Sequence, residues 1–270
     1  MYFLYSVLMG LAALLTAPYW LVQGLRCRKY LSNLWERLGF SLPELEKLPA
    51  ERPGAIWIHA VSVGEALSGV ALAKALKEKY TQRPLIVSTT TRTGYALAKE
   101  RMPSADAVIY FPFDWAFCVR RVLNAVKPAL VLILETELWP NFLRESKRRG
   151  VPVVFVSGRI SDRSFARYER FLRLFGFFLR PLLGSALGNA AAFLMQTGTD
   201  AERIRASMKS QRAAPIVLDS AFAQLIAPAC RTRTIPPFST LSAASYARLK
   251  WGLATARTDG CSPCVQSLWV

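Results

Sequence analysis

The chain has 270 residues, of which 52% are hydrophobic, and it carries 35 Lys and Arg against 18 Asp and Glu, a formal charge of +17. That length allows one large domain or two modest ones with a real core. The charge points to a polyanionic partner, whether an anionic membrane face, a phosphorylated substrate or nucleic acid, and does not choose between them. Five cysteines, Cys27, Cys118, Cys230, Cys261 and Cys264, form no even framework, which argues against a disulfide-built scaffold and for a reducing compartment.

From Tyr2 to Leu25 no side chain is charged, and Leu, Ala, Val, Phe and Trp dominate. Such a stretch is long enough to cross a hydrocarbon core of about 30 Å at roughly 1.5 Å per residue. Arg26, Arg28 and Lys29 follow at once, so the positive-inside bias places that flank and all that follows it in the cytoplasm. No Lys or Arg precedes the apolar run, which is unlike a cleaved signal peptide. Pro18 and Gly24 permit a shallow, kinked insertion, so residues 1–29 are predicted to be a membrane anchor with a basic flank rather than a certain span. Residues 30–55 read as a polar connector: Trp35, Arg37 and Leu38 suggest a short helix, and Pro43, Pro49 and Pro53 break up the rest.

A rhythm then begins. Short apolar runs at Ala55–Val61, Leu85–Thr89, Ala107–Phe111, Leu130–Leu134, Val153–Val156 and Ala192–Met195 read as buried strands. Amphipathic segments near 65–80, 94–101, 115–126, 140–149, 164–183 and 200–207 alternate with them. Alternation of this kind predicts an α/β fold, a Rossmann-like parallel sheet with helices on both faces, over residues 30–207. Ligands in such sheets bind beyond the carboxyl ends of the strands. No GxGxxG follows the first strand, which disfavours a dinucleotide-dependent oxidoreductase.

Between 163 and 183, Arg163, Arg167, Arg170, Arg173 and Arg180 are interleaved with Phe165, Phe171, Phe175, Phe177 and Phe178. Two readings fit: a helix lying on an anionic bilayer, or a core helix with a solvated basic face. No nucleic-acid motif accompanies the charge, and nucleic acid is not expected as a partner. Past Met208 no Glu occurs, Ser, Thr, Ala, Pro and Arg take over, and the rhythm stops. Residues 208–270 therefore read as a poorly structured tail, translated out of frame or left from a truncated C-terminal half. Its Cys261-Ser-Pro-Cys264 has CxxC spacing without a second pair, and His59, the only histidine, is far away, so no metal site is expected.

Unusual residues collect at the predicted strand ends. They occur in His59–Glu65, in Ser88-Thr89-Thr90-Thr91-Arg92-Thr93-Gly94, in Phe111–Asp114, in Glu135-Thr136-Glu137-Leu138-Trp139-Pro140-Asn141 and in Ser157-Gly158-Arg159-Ile160-Ser161. In the first, Ser62 is suited to cap the following helix, and Gly64 to allow a close approach or an unusual backbone angle. Glu65 is either a favourable first-turn glutamate or a general base. Thr90, Thr91, Arg92 and Gly94 fit an anion cradle at a helix start and equally a plain strand-to-helix turn. Glu135 and Glu137 suit hydrogen bonding to hydroxyls of a ligand, or an ion pair with Arg159. Asp114 and Asn141 look like helix caps, and His59 like a packed strand-end histidine.

Together with Gln196-Thr197 and Asp200-Ala201-Glu202-Arg203, the order of these motifs resembles the Kdo transferases of lipopolysaccharide assembly over about residues 1–207. The resemblance implies the N-terminal half of a two-domain GT-B glycosyltransferase, which binds a lipid A precursor while a C-terminal half binds CMP-Kdo. It implies catalysis by Glu65 as the base, substrate contacts from Ser62, Gly64, Thr90, Thr91, Arg92, Gly94, Glu135, Glu137 and Arg159, and no metal or cofactor. It places the protein at the inner membrane, among anionic lipids and with its domain facing the cytoplasm. The family's later motifs are missing from the tail, so the chain alone is expected to transfer little or no Kdo.

Overall fold

The apolar runs do what unbroken hydrophobic runs must in a parallel sheet, where helices cover both faces and every strand residue is shielded. The computed structural model of the protein describes residues 1–26, 33–159, 162–207 and 216–219. Its strands are β1 (Ala55–Ala60), β2 (Leu85–Thr89), β3 (Ala107–Tyr110), β4 (Pro128–Leu134), β5 (Val153–Gly158), β6 (Ala192–Met195) and β7 (Ile216–Asp219). All pair in parallel in the order β3-β2-β1-β4-β5-β6-β7. The chain builds outward from β1 to β3 and then returns to the other side of β1. This reversal makes the carboxyl ends of β1 and β4 the switch point at which such sheets hold ligands.

The helices are α1 (Tyr2–Arg26), α2 (Leu34–Arg37), α3 (Pro43–Glu46), α4 (Val63–Lys79), α5 (Arg92–Arg101), α6 (Ala116–Val126), α7 (Pro140–Arg148), α8 (Asp162–Leu187) and α9 (Gly198–Ser207). Alternate strand residues sort to the two faces. Trp57, Ile86, Ile109, Val131, Ile133, Phe155 and Phe193 join Val119, Val122, Phe142 and Ile204 in one core beneath α6, α7 and α9. Trp57 is wholly buried there, edge-on to Phe142 at 5.2 Å, with its indole N–H donated to Ser88 Oγ at 2.8 Å. Ile56, Ile58, Val87, Leu132 and Leu134 take the other face, where α4 approaches so closely that a Cβ on Gly69 would lie 2.8 Å from Leu134 Cδ1.

Two expectations need correction. Pro43 does not break the connector; it begins α3, because a proline at the first helical position forgoes only an N–H that has no intrahelical partner there. Leu42 and Leu45 of that turn are buried against the core. The sheet also passes the expected boundary at 207, since β7 pairs with β6 from Ala192↔Ile216 to Met195↔Asp219. A four-residue strand among Ala, Pro and Ser leaves no periodic signal. The rest of the tail, with the Cys261–Cys264 pair, lies outside the described residues, as do the side chains of Arg163, Phe165, Arg167 and Phe171.

Candidate functional site

Ser62 ends the extended backbone after β1 and caps α4: its Oγ accepts the Glu65 N–H at 3.3 Å. Glu65 reaches back to complete the box, Oε1 accepting the Ser62 hydroxyl at 2.8 Å and Oε2 accepting the Val61 N–H at 2.6 Å. This is the Ser-x-x-Glu capping box with the carboxylate extended one residue further upstream. Each oxygen uses one lone pair in these bonds and keeps another. The carboxylate is therefore fixed in direction, buried to 6% exposure, and still able to accept a proton.

Glu135 and Glu137 come up from the end of β4. Burial pushes both carboxyls above the ordinary range, and the Glu65 charge pushes them further; Arg159 opposes the shift at Glu135. Three acids thus feel one another at the switch point. Among the described residues Arg159 forms no ion pair with Glu135 or Glu137, contrary to one of the two expectations for them: it acts on Glu135 from beyond contact distance. The β4 and β5 loops are fastened instead by Thr136, whose hydroxyl donates to Arg159 O at 3.1 Å and accepts the Arg159 N–H at 3.0 Å. Glu135 and Ser157 both adopt the left-handed region, φ 60° and 54°. Each such non-glycine costs about 1–3 kcal/mol and persists only where its surroundings hold it, a condition common at functional sites. Nothing in the local sequence announces either; only the flanking loops, read together, show them.

The threonine loop after β2 joins the same edge. Thr90 donates to Val61 O at 3.0 Å, tying it to the Glu65 turn, and Thr91 caps α5 by accepting the Gly94 N–H at 3.0 Å. Gly94 is required there, because a Cβ would sit 2.8 Å from Thr91 Oγ1. Arg92 is exposed and stands toward β3, where burial pushes the Tyr110 phenol up and the Arg92 charge opposes the rise. Gly64 corrects another expectation: its φ is not positive and a Cβ would meet only Ser62 Oγ, at 3.9 Å. Backbone geometry does not demand glycine at 64, since the position is an ordinary second helical residue facing open space.

Asp114 is a cap, but of α7 rather than of the helix that follows it. Its Oδ2 and Oδ1 accept the N–H groups of Asn141 and Phe142 at 3.0 and 2.8 Å, and Tyr5 donates its hydroxyl to Oδ2 at 3.0 Å. Desolvation outweighs these bonds and raises its carboxyl to about 7. His59 is fully buried, stacked on Phe111 at 3.8 Å with Nδ1 3.0 Å from Ser88 Oγ, and burial lowers it to about 3, so it is neutral and structural.

The family described as 3-deoxy-D-manno-octulosonic-acid transferase (kdotransferase) matches residues 32–222, running past 207 as the sheet does. A bifunctional glycosyltransferase/methyltransferase of Fusobacterium nucleatum is 39% identical over 55% of this chain and 22% of its own length. The 3-deoxy-D-manno-octulosonic acid transferase of Haemophilus influenzae is 34% identical over 53% and 32% respectively. That of Chlamydophila psittaci is 29% identical over 75% and 47%. The chain thus spans less than half the length of each of these relatives. Among solved structures, a UDP-N-acetylglucosamine 2-epimerase covers 60% of the chain at 14% identity and a TM-score of 0.40, and no argument rests on it. With the family match covering its whole parallel sheet, the chain belongs to the 3-deoxy-D-manno-octulosonic-acid transferase family.

Proposed function

We propose that the chain is the acceptor half of a GT-B Kdo transferase, organised as an anchor over 1–29 and a Rossmann-like acceptor domain from residue 30. In this reading Glu65 is the general base. As the acceptor hydroxyl oxygen forms its bond to the anomeric carbon of Kdo, the bond from that carbon to the CMP phosphate breaks. The hydroxyl proton passes to Glu65, and CMP leaves as a stable anion. One in-line displacement inverts the centre and asks for no protein nucleophile, and a positioned base contributes about 10²–10⁴-fold to such a step. The observation that carries the reading is the fixed Glu65 carboxylate at the switch point, with one lone pair free on each oxygen.

Glu135 and Glu137, whose carboxyls burial and the Glu65 charge push above the ordinary range, suit hydrogen bonds to acceptor hydroxyls. Ser62 orients the base, Gly64 leaves room before it, and Thr90, Thr91, Gly94, Arg92 and Arg159 frame the rim where the phosphates of a lipid A precursor would lie. In this reading a donor half would hold CMP-Kdo. An inner-membrane setting is supported by α1, long and apolar enough to cross a bilayer, and by α8, whose Phe177 is fully exposed beside exposed Arg173 and Arg180. Those α8 residues favour a second reading, a non-catalytic module that binds lipid A or anionic lipid.

The test joins this chain to the part of the Haemophilus influenzae relative that the match leaves uncovered, and measures Kdo transfer from CMP-Kdo to a lipid A precursor. The joined protein is expected to turn over, the chain alone to do so little or not at all, and the joined Glu65→Gln variant to lose at least about 10²-fold. Acceptor binding without turnover in the joined protein, unaffected by Glu65→Gln, supports the binding module instead.

A further inference from the structure

The start of α1 and the helix α2 that follows the anchor are tied to neighbouring residues of the domain. At the start of α1, Tyr5 donates to Asp114, Ser6 Oγ accepts from Asn141 at 3.0 Å, and the Tyr2 hydroxyl lies 3.0 Å from Ser185 Oγ, accepts from Asn189 at 3.0 Å and has the Arg144 guanidinium 4.6 Å over its ring. Tyr2, Tyr5, Ser6, Met9 and Gly10 form the half-buried stripe, at helical spacing; Phe3, Leu4, Val7, Leu8 and Leu11 face outward. Beyond its end, α2 is held at the adjoining residues: Phe113 donates its N–H to Arg37 O at 3.1 Å, and Arg37 Nε donates to Phe111 O at 3.2 Å.

This closes a ring that a membrane span cannot satisfy. A straight α1 carries Arg26 about 31 Å from Tyr5 at about 1.5 Å per residue. The chain from Arg26 to Leu34 reaches at most about 29 Å when fully drawn out. A span would force this segment, with Arg28 and Lys29, straight back through hydrocarbon with its backbone groups unpaired, which lipid does not tolerate.

Beside the shared attachment lies a surface of the kind that sits at lipid headgroups. Trp115 follows Asp114 and stacks with Phe117 at 6.2 Å. Arg121 stands 5.7 Å over Phe117 and 4.1 Å over Phe40, and Phe40 meets Trp35 edge-on at 5.6 Å. Trp35, Phe40 and Phe117 are 60%, 56% and 44% exposed. Aromatic rings stacked about a guanidinium match the amphipathic depth of an anionic bilayer interface.

We propose that α1 lies in the plane of an anionic membrane face, with both ends on the side of the domain, and that the ladder from Trp35 to Trp115 rests in the same interface. The proposal builds on the membrane part of the functional reading. The test uses the full chain in cell membranes, with Cys27, Cys230, Cys261 and Cys264 replaced by Ser and buried Cys118 retained, carrying either Phe3→Cys or, on the domain, Thr81→Cys. A membrane-impermeant maleimide is expected to label position 81 from the cytoplasmic face, and to label position 3, on the lipid-facing side of α1, from neither face until detergent is added. Labelling of position 3 in intact membranes, from either face, overturns the in-plane placement. A protein found wholly in the soluble fraction overturns the membrane reading itself. In a second measurement, Trp35→Ser, Phe40→Ser and Phe117→Ser together are expected to weaken partitioning onto phosphatidylglycerol vesicles by at least about tenfold, with an unchanged melting temperature. Unchanged partitioning removes the ladder from the interface.

Discussion

Glu65 and Asp114 are both buried carboxylates at the start of a helix, and they are built in opposite ways. Glu65 closes a box with residues three and four positions upstream, whereas Asp114 caps a helix that begins 26 residues later and receives a hydroxyl from the other end of the chain. The local box leaves its carboxylate at the open edge of the sheet among Glu135 and Glu137. The tertiary cap is sealed at 1% exposure, and desolvation raises its carboxyl to about 7. Helix N-termini therefore do not by themselves mark a reactive acid; what differs is the surroundings, two further acids at the switch point for Glu65 and two helix N–H groups and a tyrosine hydroxyl for Asp114. The same box recurs at α9, where Thr197 accepts the Asp200 N–H at 3.1 Å and donates to its carboxylate at 2.6 Å. A box alone is thus no evidence of catalysis.

The contrast can be broken from either side. The largest effect expected is on Glu65: in the joined protein, Glu65→Gln should remove at least about 10²-fold of transfer. Its melting temperature should hardly move, since the glutamine oxygen can still accept from Val61. Unfolding instead of inactivation would make Glu65 a second Asp114.

The next tests Asp114 by pH. Its carboxyl titrates at about 7 when folded against an ordinary 3.8, so between those values the folded state binds more protons and its stability falls as pH rises. Urea unfolding should show the chain losing about 2–3 kcal/mol from about pH 5 to about pH 8, a slope that Asp114→Asn flattens. A profile unchanged by the substitution would show that the cap is not the group that titrates.

Smaller still, Ser62→Ala should cost about 1 kcal/mol through loss of the α4 cap, and should lower transfer in the joined protein by freeing the base. Thr197→Ala should cost about as much in stability with no effect on transfer. Least of all, Gly64→Ala should leave stability within about 0.5 kcal/mol, because its Cβ meets open space. A fall in transfer at unchanged stability would show that the space serves the acceptor. Gly94→Ala, crowded at 2.8 Å, should destabilise.

Much of this was legible along the chain. Leu85–Thr89 and Ala192–Met195 are strands as expected, and the expected helices near 65–80, 94–101 and 115–126 begin within two residues of α4, α5 and α6. The rule connecting strand ends to ligands puts Ser62, Glu65, Thr90 and Glu135 on one edge from the order of residues alone. The α7 cap was not legible, because Asp114 precedes α6 and its nearest neighbours point to that helix. The left-handed Glu135 and Ser157 were not legible either, since neither residue type favours that backbone and the loops are held from a distance, by Thr136 binding across to Arg159 and by Gln196 donating to Ser157.

The sequence by itself determined the alternation of strand and helix, the apolar length of α1 and the cap that fixes Glu65. Each depends on residues within a few positions of one another, or on a period that repeats along the chain. Only the tertiary structure decided that Glu65 faces Glu135 and Glu137, that Asp114 joins α1 to α7, and that Tyr5 and Arg37 attach at consecutive residues. Those facts depend on strand order and on charges and hydrogen bonds between segments that no local pattern relates.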